Sequence, residues 1–182
     1  MWRRVVFPGF LGGLTMLLFV LVVDGLLGFS ARVNLNPVPN ERQVYEVLKE
    51  SVTNPGRYVA NPPLTDSRTF PGGEPVFSIL YGGVGHETAG REALLKLPLF
   101  FALPILAVGM LSLAGGTVPS SYGRKVLFFV GVGILIGASS HLTRFGIGSY
   151  PLENAVALAL HDVGLWTAAG LVMAWRIRPV TA

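Results

Sequence analysis

Four long apolar segments constrain this chain more than any other feature of its sequence. They run from Val5 to about Gly28, from about Leu94 to Ala114, from Val126 to Leu142 and from Glu153 to Trp175. A helix needs roughly 20 apolar residues to cross the hydrocarbon core of a bilayer. Only 13% of the 182 residues are charged, against roughly 25% in soluble domains. The sequence therefore predicts an all-α membrane protein with four transmembrane helices.

These spans divide the chain into three parts. Residues 1–28 form the first transmembrane helix, residues 29–93 a segment outside the membrane, and residues 94–182 the other three helices with a cytoplasmic tail. The alternative for residues 1–28 is a cleaved signal peptide, which Trp2-Arg3-Arg4 and Gly28-Phe29-Ser30 would suit. Because the apolar run is longer than the roughly 7–15 residues of such a peptide, we expect the helix to be retained.

The segment at residues 29–93 predicts a small α+β fold. Asn40 is placed to cap a short helix whose apolar residues recur at helical spacing. Two strands are predicted, at Tyr58-Val59 and from Val76 to Tyr81, with an irregular turn at Asn61-Pro62-Pro63. Since a single hairpin is marginal in water, we expect the segment to lean on the bundle or on another protein.

The positive charges predict the orientation of the spans. Lys and Arg in short loops mark the cytoplasmic side, and three basic pairs fall on one side: Arg3/Arg4, Arg124/Lys125 and Arg176/Arg178. Both termini are therefore predicted to be cytoplasmic, with residues 29–93 on the periplasmic side of a bacterial inner membrane. All of the net charge of +4 lies beside the spans. This is a topology signal in a lipid bilayer, and we expect no nucleic-acid partner.

Ionisable groups inside a span are costly and mark functional sites by default. Five such residues matter here: Asp24, His141, Glu153, His161 and Asp162. All except His161 are predicted to make polar contacts within the membrane. His161 is the candidate cofactor ligand, for haem or a pigment, because imidazole binds haem iron. Residue counting places His161 about two helical turns deeper than His141, so we do not expect one haem between them. For His161 and Asp162, a proton relay is the alternative to a packing contact.

The sequence holds no arrangement typical of an enzyme. The absence of cysteine excludes thiol nucleophiles, cysteine zinc sites and iron–sulfur clusters. No serine–histidine–acid set, phosphate-binding glycine loop or pair of catalytic carboxylates is recognisable. His86 stands beside Glu87 without a further ligand at metal-site spacing. We therefore predict no catalytic residues, no metal site and no resident cofactor.

Glycine pairs predict where the helices touch. The chain has 23 glycines, and two pairs match the small-xxx-small spacing that lets helix backbones approach closely. These candidates for helix packing are Gly9 with Gly13 in the first span and Gly133 with Gly137 in the third.

Three short motifs resemble those of a group of bacterial membrane proteins. They are Gly56-Arg57-Tyr58, Gly123-Arg124-Lys125-Val126-Leu127-Phe128 and Asp162-Val163-Gly164-Leu165-Trp166. With these motifs and its layout, the chain is similar to four-helix bacterial membrane proteins that carry an external segment after the first span. The resemblance implies the same fold, and no activity, cofactor or site residue comes with it.

The function expected from these features is that of a non-catalytic accessory subunit of a larger bacterial membrane complex, of the respiratory or photosynthetic type. Its partners would be the lipid bilayer and other membrane subunits. One alternative is a redox subunit that binds haem or a pigment through His161. The other is a small transporter or proton-conducting protein. The lack of ionisable residues in the cytoplasmic halves of the spans disfavours that last alternative.

Overall fold

The computed structural model describes residues 2–68, 73–83, 85–114, 121–144 and 150–177. This described part is mostly helical, and four of its helices are long and apolar enough to cross a membrane: Arg3–Leu26, Leu94–Leu113, Tyr122–Arg144 and Leu152–Arg176. A small two-stranded sheet lies between the first two spans. The predicted set of four apolar helices with a small mixed segment is thus confirmed, and it is the architecture of a multi-pass membrane protein.

The first span is not a uniform α-helix. Its α-helical part, α1 (Phe7–Val20), follows a π-helical stretch at Trp2–Val6 and precedes another at Leu21–Leu26. Gly28 then adopts a left-handed conformation with a φ of 65°, which glycine tolerates because it has no Cβ atom. There the chain turns into a short helix, α2 (Phe29–Asn34), which the sequence analysis did not predict.

The segment after α2 contains the predicted helix and both predicted strands. They are α3 (Glu41–Ser51), β1 (Gly56–Ala60) and β2 (Phe77–Tyr81). The strands pair in antiparallel fashion, with Gly56 opposite Tyr81. Within the described residues the sheet stays two-stranded, and such a sheet is a marginal unit by itself.

The helix-capping asparagine side chain is Asn61 and not Asn40. Asn40 precedes α3, but its side chain makes no capping hydrogen bond, and its carbonyl oxygen accepts from amides of the first helical turn. The predicted irregular turn at Asn61-Pro62-Pro63 is instead the start of a helix, α4 (Pro62–Ser67), because the Asn61 side chain accepts from the amide of Leu64 at 2.9 Å. Proline suits the first helical position, since its fixed φ is already helical. The predictions of an Asn40 side-chain cap and of an irregular turn were therefore wrong.

The remaining spans are α5 (Gly85–Leu113), α6 (Tyr122–Ser140) and α7 (Leu152–Arg176), with a short 3₁₀ turn at Leu142–Arg144 after α6. α5 starts well before the predicted span at Leu94, so its first turns precede the apolar run. α1 packs on both α5 and α7, whereas α6 packs mainly on α7 and touches α5 little. The order across the bundle is therefore α5, α1, α7, α6.

The two ends of this bundle differ in chemistry. At the end where α1 and α6 begin and α7 ends, which we call the terminus end, Leu111, Phe129 and Met173 are fully buried in an apolar core. Lys125 is buried there too, and its Nζ donates to the carbonyl oxygen of Ile177 at 2.6 Å. This lysine therefore caps the last turn of α7. The opposite end, the segment end, carries α2 and a group of polar side chains.

Candidate functional site

Four of the five ionisable residues singled out in the sequence meet at the segment end. His141 Nε2 lies 3.1 Å from Asp162 Oδ2 in a hydrogen bond. The other oxygen of that carboxylate, Oδ1, lies 3.7 Å from His161 Nδ1. His161 Nε2 in turn lies 3.3 Å from Asp24 Oδ2. These four side chains form one series of alternating carboxylates and imidazoles, which we call the acid–histidine cluster.

Three different spans bring the cluster together. Asp24 lies in the π-helical stretch that ends the first span, His161 and Asp162 lie in α7, and His141 directly follows α6. A π-helical turn inside a longer helix is frequent at functional sites. Because neighbouring residues of an α-helix point about 100° apart, His161 is directed toward α1 while Asp162 is directed toward α6.

The difference in depth between His141 and His161 does not prevent both side chains from facing the same carboxylate, that of Asp162. α6 and α7 run antiparallel, and Gly137 packs against the backbone of Ala159. Side chains of a helix tilt toward its N-terminus, so those of two antiparallel helices tilt toward each other. His141 reaches toward the middle of the bundle and Asp162 reaches toward the segment end, where one carboxylate faces both imidazoles. A count of residues along the helices estimates the depths of the Cα atoms, but it does not include this tilt of the side chains.

His161 is held between two aromatic rings. Phe29 of α2 stacks on the imidazole, with ring centroids 5.1 Å apart and planes inclined by 11°. Phe19 of α1 meets the same ring edge-on at 5.3 Å and 68°. Carboxylates face both ring nitrogens. An axial haem ligand needs a nitrogen lone pair directed at the iron, whereas in this structure both ring nitrogens of His161 face a carboxylate.

α2 is fixed to the bundle by polar contacts beside the cluster. Ser30 Oγ donates to Asp24 Oδ1 at 2.6 Å. Asn154, near the start of α7, donates from its side-chain amide to the carbonyl oxygen of Val33. Together with the Phe29 stack, these contacts make α2 the cover of the acid–histidine cluster.

The cluster is largely buried but not completely closed. The side chains of His141, Asp162 and Asp24 are 23%, 19% and 20% exposed, and that of His161 is 11% exposed. His161 Nε2 is itself buried and has no hydrogen-bond partner within the described residues, because its contact with Asp24 lacks hydrogen-bond geometry. A buried nitrogen in this state is rare and calls for an explanation.

The remaining acidic and histidine candidates do not join the cluster. Glu153 lies in the first turn of α7 with an exposed side chain, a position where an acidic group favours the helix N-terminus. The predicted polar contact of Glu153 is not seen among the described residues. The side chains of His86 and Glu87 lie outside the part of the chain that the structure describes. Within that part, no group of three acidic or histidine side chains is arranged to hold a metal ion.

Both glycine pairs singled out in the sequence lie at helix contacts: Gly9 and Gly13 of α1 face α5, and Gly133 and Gly137 of α6 face α7. A methyl group on Gly9 would lie 2.5 Å from the Cα of Ile105. One on Gly137 would lie 2.7 Å from the carbonyl oxygen of Ala159. These glycines therefore allow backbones of the same chain to touch, which fixes the helices that carry the cluster.

Sequence reasoning missed the uncharged residues around the cluster. Phe19 and Phe29 are ordinary apolar residues in and beside an apolar span, and nothing in the sequence marks them as contacts of His161. Asn154 gave a weak signal, because an amide inside a span needs a partner.

No family model matches this chain, and no curated protein or solved structure is significantly similar to it.

Proposed function

We propose that this protein is a non-catalytic accessory subunit of a larger bacterial membrane complex, of the respiratory or photosynthetic type. The observation that carries the proposal is the uncovered apolar surface of the segment after α2. Leu80 and Phe77 of β2 are 80% and 60% exposed, and Val47 of α3 is 58% exposed. Lipid accounts for exposed apolar side chains on the spans, but a segment beyond the spans meets water unless a partner covers it.

The segment takes little support from its own bundle. Within the described residues, α2 packs against the spans, whereas α3, α4 and the sheet make at most marginal contact with them. A groove of about 430 Å³ lies between α3 and β2, with Tyr45, Leu48 and Ile79 in its lining. A two-stranded sheet is marginal alone and presents unpaired outer edges. Another subunit that covers this surface would supply the missing support.

The interior of the bundle supports a packing role as well. The glycine faces are used within the chain, where each of the four spans contacts another. The ionisable side chains face one another in the acid–histidine cluster. Interhelical polar contacts of this kind fix helix positions in membranes. The surface for other subunits is therefore the exposed segment, with the outer faces of the spans left for lipid.

We further infer that the terminus end faces the cytoplasm. Arg3, Arg124 and Arg176 lie exposed at this end, and the Arg176 guanidinium lies over the Phe7 ring at 5.4 Å. Basic residues beside spans mark the cytoplasmic side. Residues 29–93 would then lie on the periplasmic side of the inner membrane, where they are accessible to the outer parts of neighbouring subunits.

The test is a pair of lysine substitutions on the segment. The tagged chain is expressed in its own host, extracted in mild detergent and run on native gels, with respiratory and photosynthetic complexes followed by their haem or pigment absorbance. We expect the wild-type chain to migrate with a complex far larger than its own 19.4 kDa. Leu80→Lys puts a charge into the apolar surface and should release the chain, whereas Glu50→Lys, at an exposed polar position of α3, should not.

Two results would contradict this proposal. One is a wild-type chain that purifies as a monodisperse protein with its own turnover or transport activity. The other is equal migration of Leu80→Lys and Glu50→Lys with the large complex, which would show that the exposed segment is not the contact.

A further inference from the structure

The charge balance of the acid–histidine cluster requires protons. The cluster combines two carboxylates with two imidazoles, and within the described residues neither carboxylate is paired with a lysine or arginine. Buried charge is costly unless an opposite charge compensates it. Among the described residues the imidazoles are the groups placed to compensate these charges, so the cluster with ionised carboxylates is neutral when both imidazoles carry an extra proton.

The surroundings of His161 favour its doubly protonated form, the imidazolium. Its Nδ1 lies 3.7 Å from Asp162 and its Nε2 lies 3.3 Å from Asp24. A neutral imidazole has one N–H group, so its other nitrogen would turn a lone pair toward an anionic oxygen. The imidazolium has an N–H group on each nitrogen and presents positive charge to both carboxylates. The buried Nε2, which lacks a hydrogen-bond partner among the described residues, then has the opposite charge of Asp24 at 3.3 Å.

The docking of α2 depends on the same groups. Phe29 stacks on the His161 ring, and a cation over an aromatic face is attracted by the ring electrons. Ser30 donates to Asp24, which also faces His161. Without the proton on His161, one carboxylate charge of the cluster loses its compensation, and water must enter to solvate it. Entry of water at this place separates α2 from the bundle.

We propose that Asp24, His141, His161 and Asp162 bind protons as one site that is reached from the segment end, and that α2 docks on the bundle while this site is protonated. The ligand of the site is thus the proton, and the readout is the position of α2 and of the segment attached to it. This role does not depend on the proposed place of the chain in a larger complex.

Among the described residues, these four groups are the ionisable side chains that face the site. The first span contributes Asp24, the end of α6 contributes His141, and α7 contributes the other two. The other charged residues at the segment end of the elements packed around the site are exposed: Arg32 on α2, Arg144 on the 3₁₀ turn and Glu153 on α7. Between the site and Lys125 at the terminus end lies the apolar core of Leu111, Phe129 and Met173, so protons enter and leave through the segment end.

The experiment follows the mobility of α2 in the full chain in nanodiscs. The chain has no cysteine, so a nitroxide can be attached to Ala31→Cys, an exposed position of α2. Spectra are taken from about pH 5 to about pH 9, which brackets the range where histidine titrates. We expect the mobile fraction to rise at least about twofold as the site loses protons. A label at Leu160→Cys, exposed on α7, reports whether the bundle stays intact.

Matched variants decide the origin of the change. The rise in α2 mobility with pH should persist in Glu153→Gln, which alters an exposed carboxylate at the same end. It should disappear in His161→Gln and in Asp24→Asn. Phe29→Leu keeps all four ionisable groups but should leave α2 mobile across the whole range. The proposal is overturned by a flat wild-type profile, by a step that survives in a folded His161→Gln or Asp24→Asn protein, or by a Phe29→Leu profile equal to that of the wild type. If one charge variant does not fold, the other and Phe29→Leu still decide.

Discussion

Asp162 occupies the centre of the acid–histidine cluster, because its two oxygens face two different imidazoles. Asp162→Asn keeps one acceptor oxygen and should lower the free energy of unfolding by less than about 1 kcal/mol. Asp162→Leu removes both acceptors and should lower it by about 1–2 kcal/mol, because interhelical hydrogen bonds in membranes are modest. The measurement is SDS-induced unfolding of the purified chain, followed by circular dichroism.

The control for this prediction is Glu153→Leu on the same helix, whose exposed side chain should confine the cost to the lost charge at the helix N-terminus, less than about 1 kcal/mol. Equal stability of the wild type and Asp162→Leu would show that the contacts of this carboxylate do not hold the helices. Full stability of Asp162→Asn together with a lost pH response of α2 would separate the proton-binding role of the residue from its packing role.

The sequence could identify the ionisable residues of the site but not their partners. Asp24 and Asp162 stand out because charged groups are rare and costly in apolar spans. Which residue faces which depends on side-chain tilt and on helix register, and neither is visible in a residue count. Phe29 escaped notice for a different reason: an aromatic residue beside an apolar span is ordinary, and only the turn at Gly28 brings it over His161.

α6 and α7 can approach closely because glycine residues, which have no side chain, lie at their contact. A methyl group at Gly137 would lie 2.7 Å from a carbonyl oxygen and 3.1 Å from the Cα of Ala159, so the backbone would have to move. We expect Gly137→Ala to lower the free energy of unfolding by about 1–3 kcal/mol, the usual cost of overpacking. The same SDS titration measures it.

Gly131 provides the matched control in the same helix. A methyl group there meets no heavy atom within 4 Å, and alanine has the higher helix propensity. Gly131→Ala should therefore leave stability unchanged or raise it slightly. A loss of stability that is equal in the two variants would mean that the contact with Ala159 does not determine the result.

The long elements could be predicted and the short ones could not. Runs of apolar residues long enough to span a bilayer identify helices without further information. α2 has only 6 residues, too few to show a periodic pattern. The π-helical stretch around Asp24 is hidden for a related reason, because its residues are as apolar as those of the α-helix before it. The element that covers the site and the turn that carries one of its acids thus appear only in the structure.

The arrangement of the four spans was not predictable either. A helix that is apolar on all sides shows no preferred face, so its sequence does not name its neighbours. Glycine pairs show that a close contact exists but not which helix makes it. The structure assigns Gly9 and Gly13 to α5, and Gly133 and Gly137 to α7. This assignment places α1 and α7 at the centre of the bundle, where their polar residues meet.

The orientation of the whole molecule is the last prediction. Three basic pairs lie beside the spans on one side, and Lys and Arg in such places stay in the cytoplasm. The chain has no cysteine, so single cysteines can be introduced at Asp66→Cys, at Ser121→Cys and after Ala182. A membrane-impermeant maleimide should label the first in intact cells and the other two only after permeabilisation. Labelling after Ala182 in intact cells, with Asp66→Cys labelled as well, would mean an odd number of crossings and one misassigned span. Labelling at Ser121→Cys and after Ala182 but not at Asp66→Cys would instead invert the molecule, and the acid–histidine cluster would then respond to the pH of the cytoplasm.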